Sequence, residues 1–175
     1  MEEYQELKKQ SYALYDKILE KSDVIKTKDI GDMGESLVHS HECQRVKIGG
    51  REDLIHPIKR IPTHFAVGYD IQSVELDERK RYIEVKTTIS SKPLHFNKVH
   101  LTPNEWNTAN TMRDRYFVYR LMISKTEKKL FLIQDPVGLY KRDLIDMIPK
   151  DGADITFSTT RAEVGNFEEL LTWTN

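Results

Sequence analysis

At 175 residues and 20.5 kDa, the chain is long enough for one domain with a substantial core. Its 38% hydrophobic and 31% charged residues exclude a disordered composition, and apolar runs such as Leu130-Phe131-Leu132-Ile133 are far too short for a membrane span. The net charge is -1, and the single cysteine, Cys43, excludes an internal disulfide and suits a reducing compartment. Met1-Glu2-Glu3-Tyr4 lacks the basic start of a signal peptide, so a soluble, cytoplasmic protein with no membrane partner is expected.

In chain order, residues 2–21 read as a helix whose Tyr4, Leu7, Leu14, Ile18 and Leu19 form one apolar stripe. Asp23 to Asp29 reads as a break. A second helix is predicted from Ile30 to Glu42, with Ile30, Met33, Leu37 and Val38 on one face. Gln44 to Ile48 reads as a short strand closed by a Gly49-Gly50 turn, and Arg51 to Ala66 as irregular. Tyr69–Glu75 and Arg81–Thr87, the second with clean period-two alternation, are predicted strands joined by Asp77-Glu78-Arg79-Lys80.

Thr102-Pro103-Asn104-Glu105 has the order of a helix start: a Thr N-cap, Pro at the first position, Glu at the third. That helix is expected to end near Asp114. A hairpin of Tyr116–Ile123 and Lys129–Gln134 follows, then a helix from Leu139 to Ile148, with the last 25 residues weakly patterned. This order predicts a mixed α/β domain. It divides into an N-terminal helix (1–22), a core (31–134) and a C-terminal extension (135–175) within one domain.

Charge is unevenly placed. From His41 to Leu130 there are 17 Lys and Arg against 11 Asp and Glu, or +6, which leaves -7 for the flanks. A basic middle permits a polyanionic partner without demanding one.

The chemistry lies in Gly68-Tyr69-Asp70-Ile71 and Ile83-Glu84-Val85-Lys86-Thr87-Thr88. On the second strand Glu84 and Lys86 share one face, and an antiparallel pairing would set Asp70 beside Glu84. Two adjacent carboxylates repel unless a proton or cation sits between them. Magnesium suits such a pair, and Lys86 could then reach a phosphate oxygen or the attacking water, as metal-assisted phosphodiester hydrolysis requires. The plain alternative is a solvent face with a Glu84–Lys86 ion pair.

These residues resemble the PD-(D/E)XK nuclease superfamily, and more closely the nuclease-like domain named after the C-terminus of the protein NO VEIN. Gly34-Glu35, Leu101-Thr102-Pro103-Asn104-Glu105-Trp106 and Tyr116-Phe117-Val118-Tyr119-Arg120 extend the likeness, which spans Gly31 to Gln134. The resemblance implies a restriction-endonuclease-like α/β fold, with a central mixed sheet flanked by helices. It implies Asp70 and Glu84 as metal ligands, the Val85 carbonyl as a further ligand, and Lys86 as the catalytic lysine. Glu35 matches a helix glutamate of such sites, though Asp32-Met33-Gly34-Glu35 also reads as a capping box. Tyr69 stands where the superfamily's proline would be.

Other features carry less. His39-Ser40-His41-Glu42-Cys43 has no second ligand cluster to make a zinc site. Glu105 is explained by the capping box, and Trp106 by the core. Arg113, Arg115, Lys125, Lys128 and Lys129 could follow a DNA backbone. The expected function is a Mg2+-dependent DNA endonuclease, with Mn2+ able to substitute, in restriction or defence against foreign DNA. A homodimer is expected through residues 2–21, and any motor or modification subunit would be a separate chain. The alternative is a catalytically inactive nucleic-acid-binding or assembly module.

Overall fold

The computed structural model describes residues 9, 13, 27–90, 97–124, 127–157 and 167–174, with side chains described for all of these but 27, 127, 128 and 167–174. Apart from Lys9 and Ala13, the helix expected over residues 2–21 lies outside them, as does Lys125. No helix among the described residues is long and apolar enough to cross a membrane.

Helix α1 runs from Thr27 to Ile48, and three strands follow: the short β1 (Lys59–Arg60) and β2 (Ile71–Val74), then the long β3 (Lys80–Ser90). Next come β4 (Lys98–Leu101), α2 (Pro103–Met112), β5 (Tyr116–Ser124) and β6 (Glu127–Gln134). The described chain closes with α3 (Pro136–Lys141), β7 (Ile145–Pro149), β8 (Ala153–Phe157) and β9 (Phe167–Thr174). Six strands form one sheet in the order β1-β2-β3-β5-β6-β9, and β4-β8-β7 form a second. Only β3 and β5 pair in parallel among these, so the central sheet is mixed, as expected.

Both faces of the central sheet are covered. On one, Ile83, Val85, Phe117, Tyr119, Leu130 and Leu132 pack against Leu37, Val38 and Val46 of α1. On the other, Tyr82, Tyr116, Val118, Phe131 and Ile133 meet Ala109 of α2, Val137 and Leu139 of α3, and the second sheet. Burial on both sides explains why β5 is buried along its whole length and why Leu130 to Ile133 is an unbroken apolar run.

Two sequence expectations are corrected. Gln44 to Ile48 is not a strand: α1 continues through it, with Val46 fully buried on the helix's apolar stripe. The glycine pair caps this helix. Gly50 has φ +76, its N–H bonds the Lys47 carbonyl, and the Arg51 N–H reaches the Val46 carbonyl, which is a Schellman ending. Leu139 to Ile148 is not one helix either. Asp135 caps α3 through the Gly138 N–H at 2.9 Å, the helix stops at Lys141, and Asp143 at φ +57 turns the chain into β7. The strands β4 and β8 are additions; β4 alternates exposed and buried, with Val99 and Leu101 inward.

One polar knot ties α1 to the sheet. The fully buried Glu42 carboxylate accepts from Ser73 Oγ (2.7 Å), Tyr119 Oη (2.7 Å) and the Arg45 guanidinium (2.9 Å), with Arg81 Nη1 at 3.4 Å. Burial alone would raise the Glu42 pKa, but Arg81 and Arg45 outweigh it and hold the carboxyl well below its ordinary range. A carboxyl lowered in the folded state stabilises above its unfolded pKa, and that contribution fades as pH falls through the acid range. Glu42→Ala should leave buried guanidinium charge unmatched and cost about 3–5 kcal/mol. Urea unfolding at pH 7 should show that loss, and the gap between wild type and variant should narrow toward acid pH.

Candidate functional site

Asp70 is the residue just before β2, and Gly68 shapes the approach to it. Gly68 has φ +79, and a Cβ there would lie 2.3 Å from Thr108 Oγ1 and 2.9 Å from the Asn104 carbonyl. The chain can therefore run tight against α2 only with glycine at this position. Asn104 Nδ2 holds the Ala66 carbonyl at 2.7 Å, Thr108 Oγ1 the Val67 carbonyl at 3.1 Å, and Tyr116 Oη the Gly68 carbonyl at 2.9 Å. With the loop so tied, the Asp70 N–H donates to the Ile83 carbonyl at 2.9 Å.

The antiparallel register of β2 and β3 pairs Ile71 with Ile83, which sets Asp70 across from Glu84, as the sequence predicts. Asp70 Oδ2 accepts the Val85 backbone N–H at 2.8 Å, so the carboxylate lies directly against the β3 backbone. Lys86 Nζ sits 2.7 Å from Glu84 Oε1 and 2.7 Å from Glu105 Oε2. Glu84 is buried, at 4% exposure, which removes the solvent-face alternative. A cavity of about 220 Å³ opens beside these groups, lined by Asp70, Glu84 and Glu105 with Gly68, Thr102 and Asn104 among others.

The electrostatics separate the carboxyls into two kinds. Burial pushes the Asp70 pKa up to about 6, with Glu35 and Glu105 adding to the rise and the Val85 N–H and Lys86 opposing it. Burial and then the Asp70 charge raise Glu84 well above its usual value, despite Lys86 beside it. Glu105 moves the other way: burial opposes, but Lys86 and the Thr102 N–H hold it below its ordinary value. Burial also works against the Lys86 ammonium, and Glu84 and Glu105 more than compensate, keeping it charged.

Glu105 is the residue the sequence reading passed over. The capping box it was assigned to is real: Thr102 Oγ1 accepts the Glu105 N–H at 3.3 Å, and Glu105 Oε2 accepts the Thr102 N–H at 2.9 Å. The same Oε2 binds Lys86, so one carboxylate starts α2 and serves the site. Its place in Asn104-Glu105-Trp106, within the resembling segment, was the available signal.

Glu35 is not part of a capping box, because α1 already begins at Thr27, before Asp32. Its carboxylate pairs with Arg60 at 2.7 Å, and its charge is felt at Asp70. Among the expected nucleic-acid contacts, Arg113 is bound to Asp135 at 3.0 Å, where α2 ends and α3 begins. Arg115 lies over the Tyr82 ring at 5.8 Å. The Lys125 and Lys128 side chains fall outside the described residues. Lys129 is described and partly exposed on β6, paired in register with Met122.

A divalent ion fits the donor set. The half-buried Asp70 and the buried Glu84 lie across from each other and are each driven toward neutrality, and a cation between them would relieve both. No group of three or more His, Cys, Asp or Glu side chains forms a closed metal cage among the described residues. Magnesium needs none, since it binds through one or two carboxylates and keeps several waters.

A family model described as "Protein NO VEIN, C-terminal" matches residues 34–133, more than half of the chain. A solved structure described as "Restriction endonuclease in complex with substrate DNA" aligns with a TM-score of 0.43 and 13% identity, over 96% of this chain and 89% of that one. No curated protein matches the chain.

The raised Asp70 has a measurable consequence without metal. Because its folded pKa lies above the unfolded value, the folded state loses stability as pH rises from about 4 to about 6. Asp70→Asn removes that ionisation and should stabilise the metal-free protein at pH 7, by up to about 3 kcal/mol. Chemical denaturation in EDTA between pH 4 and 7 should show a flatter profile for the variant than for wild type.

Proposed function

The chain belongs to the family described as Protein NO VEIN, C-terminal, and on that premise we propose that it is a magnesium-dependent endonuclease hydrolysing phosphodiester bonds of DNA. The observation that carries this reading is the pairing of half-buried Asp70, just before β2, with buried Glu84 of β3, with Lys86 two residues on and facing the same way. The excess of basic residues between His41 and Leu130 is compatible with a polyanionic substrate.

Asp70 and Glu84 would hold the ion, with the Val85 carbonyl as a further donor and manganese as a substitute. Bound there, magnesium supplies positive charge for phosphate oxygens and makes water easier to deprotonate. The protein's own groups do the rest. Lys86 has three N–H donors, two of them taken by Glu84 and Glu105, so it can present one to a phosphate oxygen. Glu105 keeps that ammonium charged and aimed, from the rigid first turn of α2. The Val85 N–H fixes Asp70, so the carboxylate needs no reorientation on loading. Defence against foreign DNA is the role we assign to such an activity.

Glu84→Ala should abolish both cleavage of plasmid DNA and the heat of magnesium or manganese binding. Lys86→Ala keeps both carboxylates, so it should retain the metal while cutting activity roughly 10²–10⁴-fold. Calorimetric titration and plasmid cleavage, run on both variants, separate these effects. Wild type that takes up no divalent ion, even with DNA present, would remove the nuclease reading and leave a nucleic-acid-binding module.

A further inference from the structure

Arg120 is paired in register with Lys86 on one side and with Phe131 on the other, in the middle of the sheet. It shares the sheet face of Val118 and Met122 and is 5% exposed. Its Nη1 donates to the Lys86 carbonyl at 3.1 Å, while its buried Nε has no hydrogen-bond partner among the described residues. Nor does any described carboxylate form an ion pair with it. The other arginines drawn into the structure are matched: Arg81 by Glu42 and Glu75, Arg45 by Glu42, Arg113 by Asp135.

A guanidinium carries five N–H donors in a planar fork, and an unmatched buried charge is strongly unfavourable. Burial pulls the Arg120 pKa down to about 10, and no anion among the described residues restores it. The nearest carboxylates of the site are engaged elsewhere, since Lys86 turns to Glu84 and Glu105. Among the described residues no anion with oxygens spaced for the fork lies one residue step across the sheet from Lys86.

We propose that Arg120 is a phosphate-binding residue, its free N–H edge receiving a phosphate group of the strand on which Lys86 acts. The identity of that strand rests on the function proposed above; the phosphate chemistry does not. A guanidinium pairs with phosphate through two parallel N–H···O bonds, and the phosphate supplies the absent negative charge. An arginine serving only the fold would not be left without a counter-charge, as Arg81 illustrates.

The test compares wild type with Arg120→Met and Arg120→Lys, all in EDTA so that neither metal nor cleavage enters. Phosphate should raise the wild-type unfolding midpoint above that in chloride of equal ionic strength, because a ligand of the folded state stabilises it. R120M should fold with a midpoint at or above that of wild type without phosphate, and should show no phosphate response. R120K, a charge without the fork, should respond less than wild type. In fluorescence anisotropy with a labelled DNA duplex, R120M should bind about tenfold more weakly, the scale of one charge-assisted contact. That loss places the phosphate in DNA; lost phosphate response with unchanged duplex binding assigns the site to a free phosphate instead. An R120M protein that fails to fold, or that responds to phosphate like wild type, overturns the proposal, as does wild type indifferent to phosphate. Plasmid cleavage in magnesium is scored separately, so an inactive enzyme with an intact phosphate response sinks only the nuclease reading.

Discussion

Strand β3 is buried on both faces from Arg81 to Val85, and it carries Arg81, Glu84 and the half-buried Lys86. A charge taken out of water must be answered within the protein, or its ionisation is suppressed. Much of the architecture follows from how β3 meets that demand. On the α1 side, Glu42 reaches across to Arg81, and Ser73 and Tyr119 complete its hydrogen bonds. On the α2 side, Lys86 lies between Glu84 and Glu105, and Asp70 is drawn against the strand's own backbone.

The two sides solve the same problem differently. Glu42 is over-compensated, and its carboxyl stays ionised at any ordinary pH. Asp70 and Glu84 are under-compensated: one lysine cannot satisfy them and Glu105 together, so both are pushed toward the neutral form. The first arrangement is what holds a helix to a sheet. The second stores unfavourable charge in a cavity open to ligand, which is the usual mark of a site built for chemistry rather than for stability. Gly34 tightens this further, since a Cβ there would come 1.8 Å from Thr87 Oγ1, so α1 rides on β3 immediately beyond Lys86.

The sequence disclosed the elements whose signals are local. Period-two alternation revealed β3, and its short turn from the preceding strand fixed the pairing that brings Asp70 to Glu84. Thr102-Pro103-Asn104-Glu105 disclosed the start of α2 because a capping box is a four-residue object. What stayed hidden depended on distant partners. Val46 looks like a strand residue until the apolar face of α1 and the Gly50 cap are seen together. Ile145 to Ile148 continues a helical pattern on paper, but Asp143 in the left-handed region and pairing with β8 decide for a strand. Glu105 was assigned one function because spacing reveals a cap, whereas its contact with Lys86 spans nineteen residues and two elements. Arg120 closes the resembling segment Tyr116-Phe117-Val118-Tyr119-Arg120, but that it meets no carboxylate among the described residues is a property of the surroundings and could not be read there.

Glu105 Oε2 accepts two donors at once, the Thr102 amide at 2.9 Å and the Lys86 ammonium at 2.7 Å. Electron density drawn toward the ammonium is density withheld from the amide. Removing the ammonium, as Lys86→Ala would, leaves that oxygen to the helix alone, so the amide bond should strengthen and its proton resonance should move downfield. The Thr102 amide is thereby a native spectroscopic probe of the lysine, readable by NMR at the first turn of α2 without any label in the site itself.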